Sequence, residues 1–309
     1  MKPLVFFGTP EFAVPSLDAL VAAGEAPALV VSQPDRPAGR GHRDQPPPVA
    51  RRARELGLPL VQVERVRDAG FLSRIEELAP AIAVVVAFGQ IFPQRLLDLP
   101  ARGCVNLHAS LLPRWRGAAP IAAAIAAGDT ETGVCTMKME AGLDTGPVYL
   151  CRRVAIGERE TAGELGERLA ELGATLLVET LGALARGEVA ARPQPEAGAT
   201  YAPRLKKEDG RLDWRRPAVE LARQARALTP APGATVELRG ASVRLLAVEV
   251  AGSGSGAAGE ILGVDGDRLR VACGVGALAI ARLQRAGGRP VSGREFAAGA
   301  RFAPGERFA

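Results

Sequence analysis

The chain has 309 residues, 47% of them hydrophobic, and a formal net charge of +5. That length implies about two domains, each able to bury a core, and no run of ~18 apolar residues is available to cross a membrane. The first residues carry one Lys and too short an apolar run for a signal peptide; Cys104, Cys135, Cys151 and Cys273 show no CxxC spacing, so neither a zinc nor a disulfide framework is expected and a reducing cytoplasm is the default.

Leu4–Phe7 reads as a first strand ending at Gly8-Thr9-Pro10. A helix over Phe12–Ala23 and a strand over Ala28–Ser32 follow. Residues 33–48 then form a long connection, too rich in Pro and Gly for regular structure. Val49–Leu56 reads as helix, Leu60–Val63 as strand and Ala69–Leu78 as helix. Ile82–Ala87 is a continuous apolar block suited to the centre of a parallel sheet. Short strands alternating with helices argue a doubly wound, Rossmann-like α/β domain. Ligands bind such sheets outside the carboxyl ends of the strands, where Gly8-Thr9, the 33–48 loop, Phe88–Gln90 and Asn106–His108 all fall. Gly8-Thr9-Pro10-Glu11 is not GxGxxG, so a dinucleotide fingerprint is absent.

Ala162–Arg186 is an amphipathic helix with Leu165, Leu169, Leu172, Leu176 and Leu177 at helical spacing, best read as packing on the sheet. Residues 188–205 collect Gly and Pro and read as a linker between a domain at 1–187 and another at 206–309. Beyond a helix within Arg211–Leu228, short strands at Thr235–Leu238, Ser242–Val250, Gly259–Leu262, Leu269–Cys273 and Leu278–Leu283 are separated by Gly-rich turns. They suggest a small β-barrel of OB-like type. Ser292-Gly293-Arg294-Glu295 has the form of a capping box opening a last helix. Residues 206–309 carry 17 Lys/Arg against 11 Asp/Glu, so the excess positive charge lies there. The asymmetry fits a polyanionic partner such as RNA or DNA and fits a solvated basic surface equally well.

The chemistry concentrates in Asn106-Leu107-His108-Ala109-Ser110-Leu111-Leu112-Pro113-Arg114-Trp115-Arg116-Gly117. Asn106 and His108 are two apart, so both point the same way off an extended segment. An amide donor beside an imidazole suits acyl-type transfer, one group holding a developing oxyanion and the other handling protons. The only histidines are His42, inside the charged loop, and His108. Trp115 reads equally as a packed aromatic or a stacking platform, and Arg114 and Arg116 as surface groups or phosphate contacts. No metal is expected, because His108 lacks a His or Cys partner at ligand spacing.

Phe7–Phe12, Gln33–Gly41, Asn106–Pro120 and Gly142-Leu143-Asp144-Thr145-Gly146 resemble the methionyl-tRNA formyltransferases, as do Thr200-Tyr201-Ala202 and Lys207 through Trp214. Asn106–Pro113 alone is shared by the wider group of 10-formyltetrahydrofolate-using formyltransferases. The Gln33–Gly41 loop, Arg114–Ile121 and the basic C-terminal domain narrow the resemblance to the tRNA enzymes.

The resemblance implies formyl transfer from 10-formyltetrahydrofolate to the α-amino group of methionine on initiator methionyl-tRNA. A monomer without a membrane partner is expected separately, because no large apolar segment stands out. The resemblance also implies a catalytic trio of Asn106, His108 and Asp144. Ser110, Leu111, Leu112 and Pro113 fall on the family's folate-contact segment, and Phe88, Gly89, Gln90 and Ile91 on the loop lining its pterin pocket. Arg36, Arg40 and Arg43 fall on the loop that engages the tRNA acceptor end, and Lys206 and Lys207 at a phosphate-contacting start of the second domain. The competing reading is a related formyltransferase acting on a small amine, a sugar nucleotide or glycinamide ribonucleotide. Leu228–Ala234 departs from the family in carrying small residues where an aromatic is common, and His42-Arg43 stands where Lys is common.

Overall fold

The structure, a computed structural model, describes residues 2–38 and 43–309, the side chains of Ala38 and Arg43 excepted. The elements in chain order are β1 (Leu4–Gly8), α1 (Val14–Ala22), β2 (Leu29–Ser32), β3 (Arg36–Ala38), β4 (Arg43–Gln45), α2 (Pro48–Glu55), β5 (Leu60–Gln62), α3 (Ala69–Leu78), β6 (Ile82–Val86), α4 (Gln94–Asp98), β7 (Cys104–His108), β8 (Arg116–Gly117), α5 (Pro120–Ala127), β9 (Glu131–Lys138), β10 (Val148–Ala155) and α6 (Ala162–Arg186). Then come β11 (Tyr201–Ala202), α7 (Ala218–Ala227), β12 (Ala234–Leu238), β13 (Ala241–Val250), β14 (Ile261–Asp265), β15 (Arg268–Ala272), β16 (Ala277–Arg285), β17 (Val291–Ser292) and α8 (Gly293–Ala300). The chain divides into two compact units. One comprises Met1–Pro120, Glu131–Val154 and Gly166–Ala202; the other comprises Ile121–Thr130, Ala155–Leu165 and Pro203–Ala309.

The first unit is built on a seven-stranded sheet in the order β10-β9-β7-β6-β1-β2-β5. β1 pairs in parallel with β2 on one side and β6 on the other, with Phe7 opposite both Val31 and Val85. β5 beside β2 and β7 beside β6 extend the parallel block. The chain thus reverses its direction of winding at β1, the doubly wound arrangement that opens a crevice outside the carboxyl ends of β1 and β6. Every residue of β1 and β6 is buried, which the unbroken apolar runs demand of strands covered on both faces. Phe7 closes the floor of that crevice, with its ring 5.4 Å from Phe88 and 4.9 Å from Phe92, both edge-on.

On the far side β9 runs antiparallel to β7 and sets Met137 opposite Asn106 and Cys135 opposite His108. Buried leucines of α6, among them Leu169, Leu176 and Leu177, form the apolar stripe expected from the sequence. One polar contact interrupts it: Thr180 and Thr136 of β9 share a hydrogen bond of 2.8 Å.

The second unit holds an antiparallel sheet in the order β12-β13-β16-β15-β14, with β17 on β16. Its two outer strands are joined through the last residues of the chain. Ile261 N–H donates to Glu306 O and Phe308 N–H to Gly259 O, while Glu237 and Ala309 exchange both backbone hydrogen bonds. Residues 306–309 therefore stand between β14 and β12 and complete the barrel, which removes two exposed strand edges. Phe308 seals its end, stacked 5.9 Å from Trp214 and 6.4 Å from Phe296. The capping box at α8 forms as expected, with Glu295 N–H donating to Ser292 Oγ and Ser292 N–H to the Glu295 carboxylate.

Four features differ from the sequence expectation. The 33–48 connection contains a short antiparallel pair, β3 with β4, in which Arg36 faces Gln45; backbone pairing overrides its poor strand composition. The expected first helix begins as a 3-10 turn over Glu11–Ala13. Strands β9 and β10 stand where no element is expected: the interior of β9 is buried on both faces and β10 is only partly buried, so neither alternates. Cys135 and Cys151 form a disulfide, with Cα atoms 4.2 Å apart. Their spacing of 16 residues gives no signal of it; adjacency of β9 and β10 in the sheet creates it. Among the described residues no helix is long and apolar enough to cross a membrane, and no cluster of three potential metal ligands occurs.

Cys104 and Cys273 are free and buried. Burial, with Asp98 adding to it, pushes the Cys104 thiol up to about 12, and burial pushes Cys273 up to about 11. Alkylation of the native protein should therefore leave both unmodified until denaturant is added, and non-reducing peptide mapping should recover Cys135 linked to Cys151. Rapid native labelling of Cys104 would contradict this arrangement.

Candidate active site

Asn106 and His108 lie on the same face of β7, whose last residue is His108. His108 is 6% exposed. Its Nε2 lies 2.9 Å from the carbonyl oxygen of Trp115. A carbonyl only accepts, so Nε2 carries the hydrogen and Nδ1 is the free position of the neutral ring. Nδ1 lies 3.6 Å from Asp144 Oδ2. The structure thus brings together His108 from a strand end and Asp144 from the β9–β10 connection, 36 positions later in the chain.

Asp144 sits in left-handed backbone, φ +53°, which is uncommon for any residue but glycine. Its Oδ2 accepts a hydrogen bond of 2.8 Å from Gly117 N–H. Gly117 itself has φ +115°, and a Cβ there would lie 2.6 Å from Ala202 O. Gly146 is equally constrained, since a Cβ would lie 1.8 Å from Lys138 O. The glycines on either side of the site are therefore set by close backbone approach as much as by turn geometry.

Trp115, Arg116 and Gly117 are held by the segment that returns from α6. Trp115 N–H donates to Thr200 Oγ1 (2.8 Å), Arg116 N–H to Thr200 O (2.8 Å), and β8 pairs in parallel with β11. Residues 192–202, although rich in Gly and Pro, satisfy their backbone this way; Arg192 also exchanges hydrogen bonds with Val148. Arg116 is buried, not a surface group, and directs Nε and Nη2 onto Gln194 Oε1 at 3.0 and 2.9 Å. Arg114 lies over the Trp115 ring, 4.4 Å from its centroid, so that ring is covered by a cation.

The remaining candidates are placed as follows. Ser110 is fully buried and its Oγ donates to Arg114 O at 2.6 Å; it closes the turn. Leu111, Leu112 and Pro113 are half-buried. Phe88 puts its ring in the core, while its carbonyl, at the β6 end, accepts from Thr9 Oγ1 (3.1 Å) and Gln33 Nε2 (2.7 Å). Gln90 spends its amide on Val66 N–H and Val63 O. Gly89 is exposed and Ile91 is almost fully so. Arg36 pairs with Glu64 at 2.7 Å, both exposed. Arg40 and His42 lie outside the described residues. Lys206 and Lys207 are exposed at the start of a 3-10 turn over Lys207–Gly210, where Lys206 N–H donates to the Asp209 carboxylate.

A cavity of about 680 Å³ lies between Leu112, the β10 residues Val148–Cys151 and the 188–195 segment including Gln194. It includes neither His108 nor Asp144. Gln33 and Thr200 lie in segments that carry the resemblance and Gln194 in the expected linker, but none has a role legible in the residues, since those roles exist only through partners 55, 50 and 85 residues away.

The formyl transferase family matches residues 1–181, and the formyl transferase C-terminal domain family matches residues 204–301. A methionyl-tRNA formyltransferase of Dinoroseobacter shibae is 54% identical over 296 residues, covering 96% of this chain and 97% of that protein. One from Parvibaculum lavamentivorans is 51% identical over 311 residues, covering 99% of each. Among solved structures, the N-formyltransferase from Helicobacter canadensis in complex with folinic acid and dTDP-3-aminofucose has a TM-score of 0.67 at 15% identity, covering 91% of this chain and 99% of that one. HypX from Aquifex aeolicus in complex with tetrahydrofolic acid has a TM-score of 0.64 at 17% identity, covering 96% of this chain and 46% of that one. At those identities the likeness is one of fold.

The crowding at Gly117 has a measurable consequence. Gly117→Ala should lower stability by at least about 2 kcal/mol, through backbone strain and the clash with Ala202 O, seen as a reduced melting temperature. An unchanged melting temperature would show that β8 and β11 can separate freely.

Proposed function

The chain belongs to the methionyl-tRNA formyltransferase family, and we propose that 10-formyltetrahydrofolate is its formyl donor and the α-amino group of methionine on initiator tRNA its acceptor. Formyl transfer to methionyl-tRNA, a step in translation initiation, is the activity that membership carries. The observation that most supports Asn106, His108 and Asp144 as the reacting groups is the approach of His108 Nδ1 to 3.6 Å from Asp144 Oδ2, a contact that becomes an ion pair when Nδ1 takes a proton, with Nε2 committed to Trp115 O.

Each group then has a role that follows from its chemistry. As the amine nitrogen bonds to the formyl carbon it loses a proton. His108 Nδ1 is the free acceptor for that proton, and Asp144 stabilises the imidazolium that results. The bond from the formyl carbon to the folate nitrogen then breaks, and the folate nitrogen leaves with a proton that the imidazolium returns. Asn106, on the same strand face, offers an uncharged amide donor to the negative charge that gathers on the formyl oxygen. The folate supplies an activated formyl group on nitrogen. On this chain it would lie against Leu111–Pro113 and the Gly89–Ile91 backbone, at the crevice the sheet reversal opens. The donor set there fits a pteridine: Gly89 leaves backbone open, and the exposed Ile91 and half-buried Leu112 offer apolar surface. The Phe88 ring and the Gln90 amide serve the fold instead.

Residues 1–187 form the catalytic part in this reading, 188–205 join it to 206–309, and the latter binds tRNA. Arg36, Arg40 and Arg43 are the residues assigned to the acceptor end of the tRNA, and Lys206 and Lys207 those assigned to its phosphates. Arg36 must leave Glu64 to reach the acceptor end, a small cost for an exposed pair.

Mass spectrometry of charged initiator tRNA incubated with the protein and 10-formyltetrahydrofolate should find the methionine formylated. In single turnover, Asn106→Ala should slow transfer about 100–1,000-fold, and His108→Ala and Asp144→Asn at least about 100-fold. Transfer to a nucleotide-linked amino sugar and not to tRNA would overturn the acceptor, and a near-normal Asp144→Asn would remove that residue from the trio.

Binding to tRNA should weaken with salt by about 0.7–0.9 log units per log unit of salt for each phosphate neutralised. A flat response would exclude the basic residues named here as phosphate contacts.

A further inference from the structure

We propose that Gln194 is the positioning residue for Asp144, orienting the carboxylate through the backbone of its loop. The proposal rests on the reading of Asp144 as a reacting group. Gln194 Nε2 donates to Asp144 O at 2.8 Å and to Gly146 O at 2.7 Å. One of these carbonyls is Asp144's own, in left-handed backbone at φ +53°, and the other lies two residues further along the same turn. Such a conformation persists only when its surroundings over-determine it. Gly117 N–H fixes one carboxylate oxygen, and Gln194 fixes the main chain that carries it.

The orientation of the Gln194 amide is itself forced. Its Oε1 receives Arg116 Nε and Nη2 at 3.0 and 2.9 Å. A guanidinium has only donors and a backbone carbonyl only acceptors. A group that satisfies Arg116 on one side and two carbonyls on the other must accept at one end and donate at the other. Among the natural side chains of this length only glutamine does both without a change of protonation. Arg116 is 6% exposed and has no carboxylate partner among the described residues. It acts on Asp144 through the amide, so its charge locks Gln194 in one orientation without competing with His108 for the carboxylate. Arg116 and Gly117 are consecutive, so two residues of β8 hold both the side chain and, by way of Gln194, the backbone of Asp144.

Gln194→Glu separates the two sides of this amide. It keeps a partner for Arg116 and removes both donors to the loop. The variant should fold with a lowered melting temperature, since the loop loses two hydrogen bonds. Its KM for folate and for methionyl-tRNA should be unchanged, and kcat should fall about 100-fold, the cost of misplacing a reacting group by about 1 Å. The Gly117 amide should exchange with solvent faster, since its acceptor moves. Gln194→Asn, with the amide one methylene short, should show the same signature and serves if the Glu variant does not fold. Unchanged Gly117 exchange, or faster exchange with wild-type kcat, overturns the proposal. Asp144→Asn measured alongside separates this from its premise: if that variant transfers normally, it is the role of Asp144 that fails, and the positioning role falls with it.

Discussion

The three residues Trp115, Arg116 and Gly117 are the constraint on which the geometry around His108 and Asp144 depends. Each uses a different part of itself. The Trp115 carbonyl accepts a hydrogen bond from His108 Nε2, the Arg116 side chain orders Gln194, and the Gly117 N–H holds Asp144. None of them could do this from a freely moving loop. They are fixed because Thr200 accepts from Trp115 and Arg116, and because β11 pairs with β8. A segment that follows a 25-residue helix thus returns to hold a turn that precedes it.

The Rossmann-like sheet accounts for where the site lies, and the antiparallel addition accounts for what it contains. Parallel strands bring Thr9, Gln33 and Phe88 to one rim, where two side chains saturate the Phe88 carbonyl. Such a rim is rigid, since the strands beneath it are wholly buried. The carboxylate comes from elsewhere: β9 must turn back beside β7 so that the β9–β10 connection passes His108. The Cys135–Cys151 bridge ties the two strands of that connection together. Left-handed backbone at Trp115 and Asp144, on either side of the imidazole, is the conformational cost of the arrangement.

The second unit solves a different problem. A small antiparallel sheet exposes two edges unless it closes, and here the segment 306–309 bonds to both. Stacked aromatics at Trp214, Phe296 and Phe308 then fill the end. Little of its basic surface is drawn into the barrel core, which leaves Lys206 and Lys207 exposed.

Much of this was legible in the residues. Continuous apolar runs at Leu4–Phe7 and Ile82–Val86, the heptad-like leucines of Ala162–Arg186, the glycine-spaced strands of the second unit and the Ser292–Glu295 box all report local periodicity or capping, which physics reads from neighbours in the chain. The two-residue spacing of Asn106 and His108 likewise places them on one strand face. The disulfide, the burial of Arg116, the turn-closing use of Ser110 and the hydrogen bonds of Gln194 were not legible, because each depends on a partner at long separation whose approach is set by strand order and helix packing. Residue types and their local spacing select groups able to do acyl-transfer chemistry. How those groups face one another is set by strand order and packing, because a hydrogen bond of 2.8 Å between residues 50 apart is a property of the fold and not of either residue.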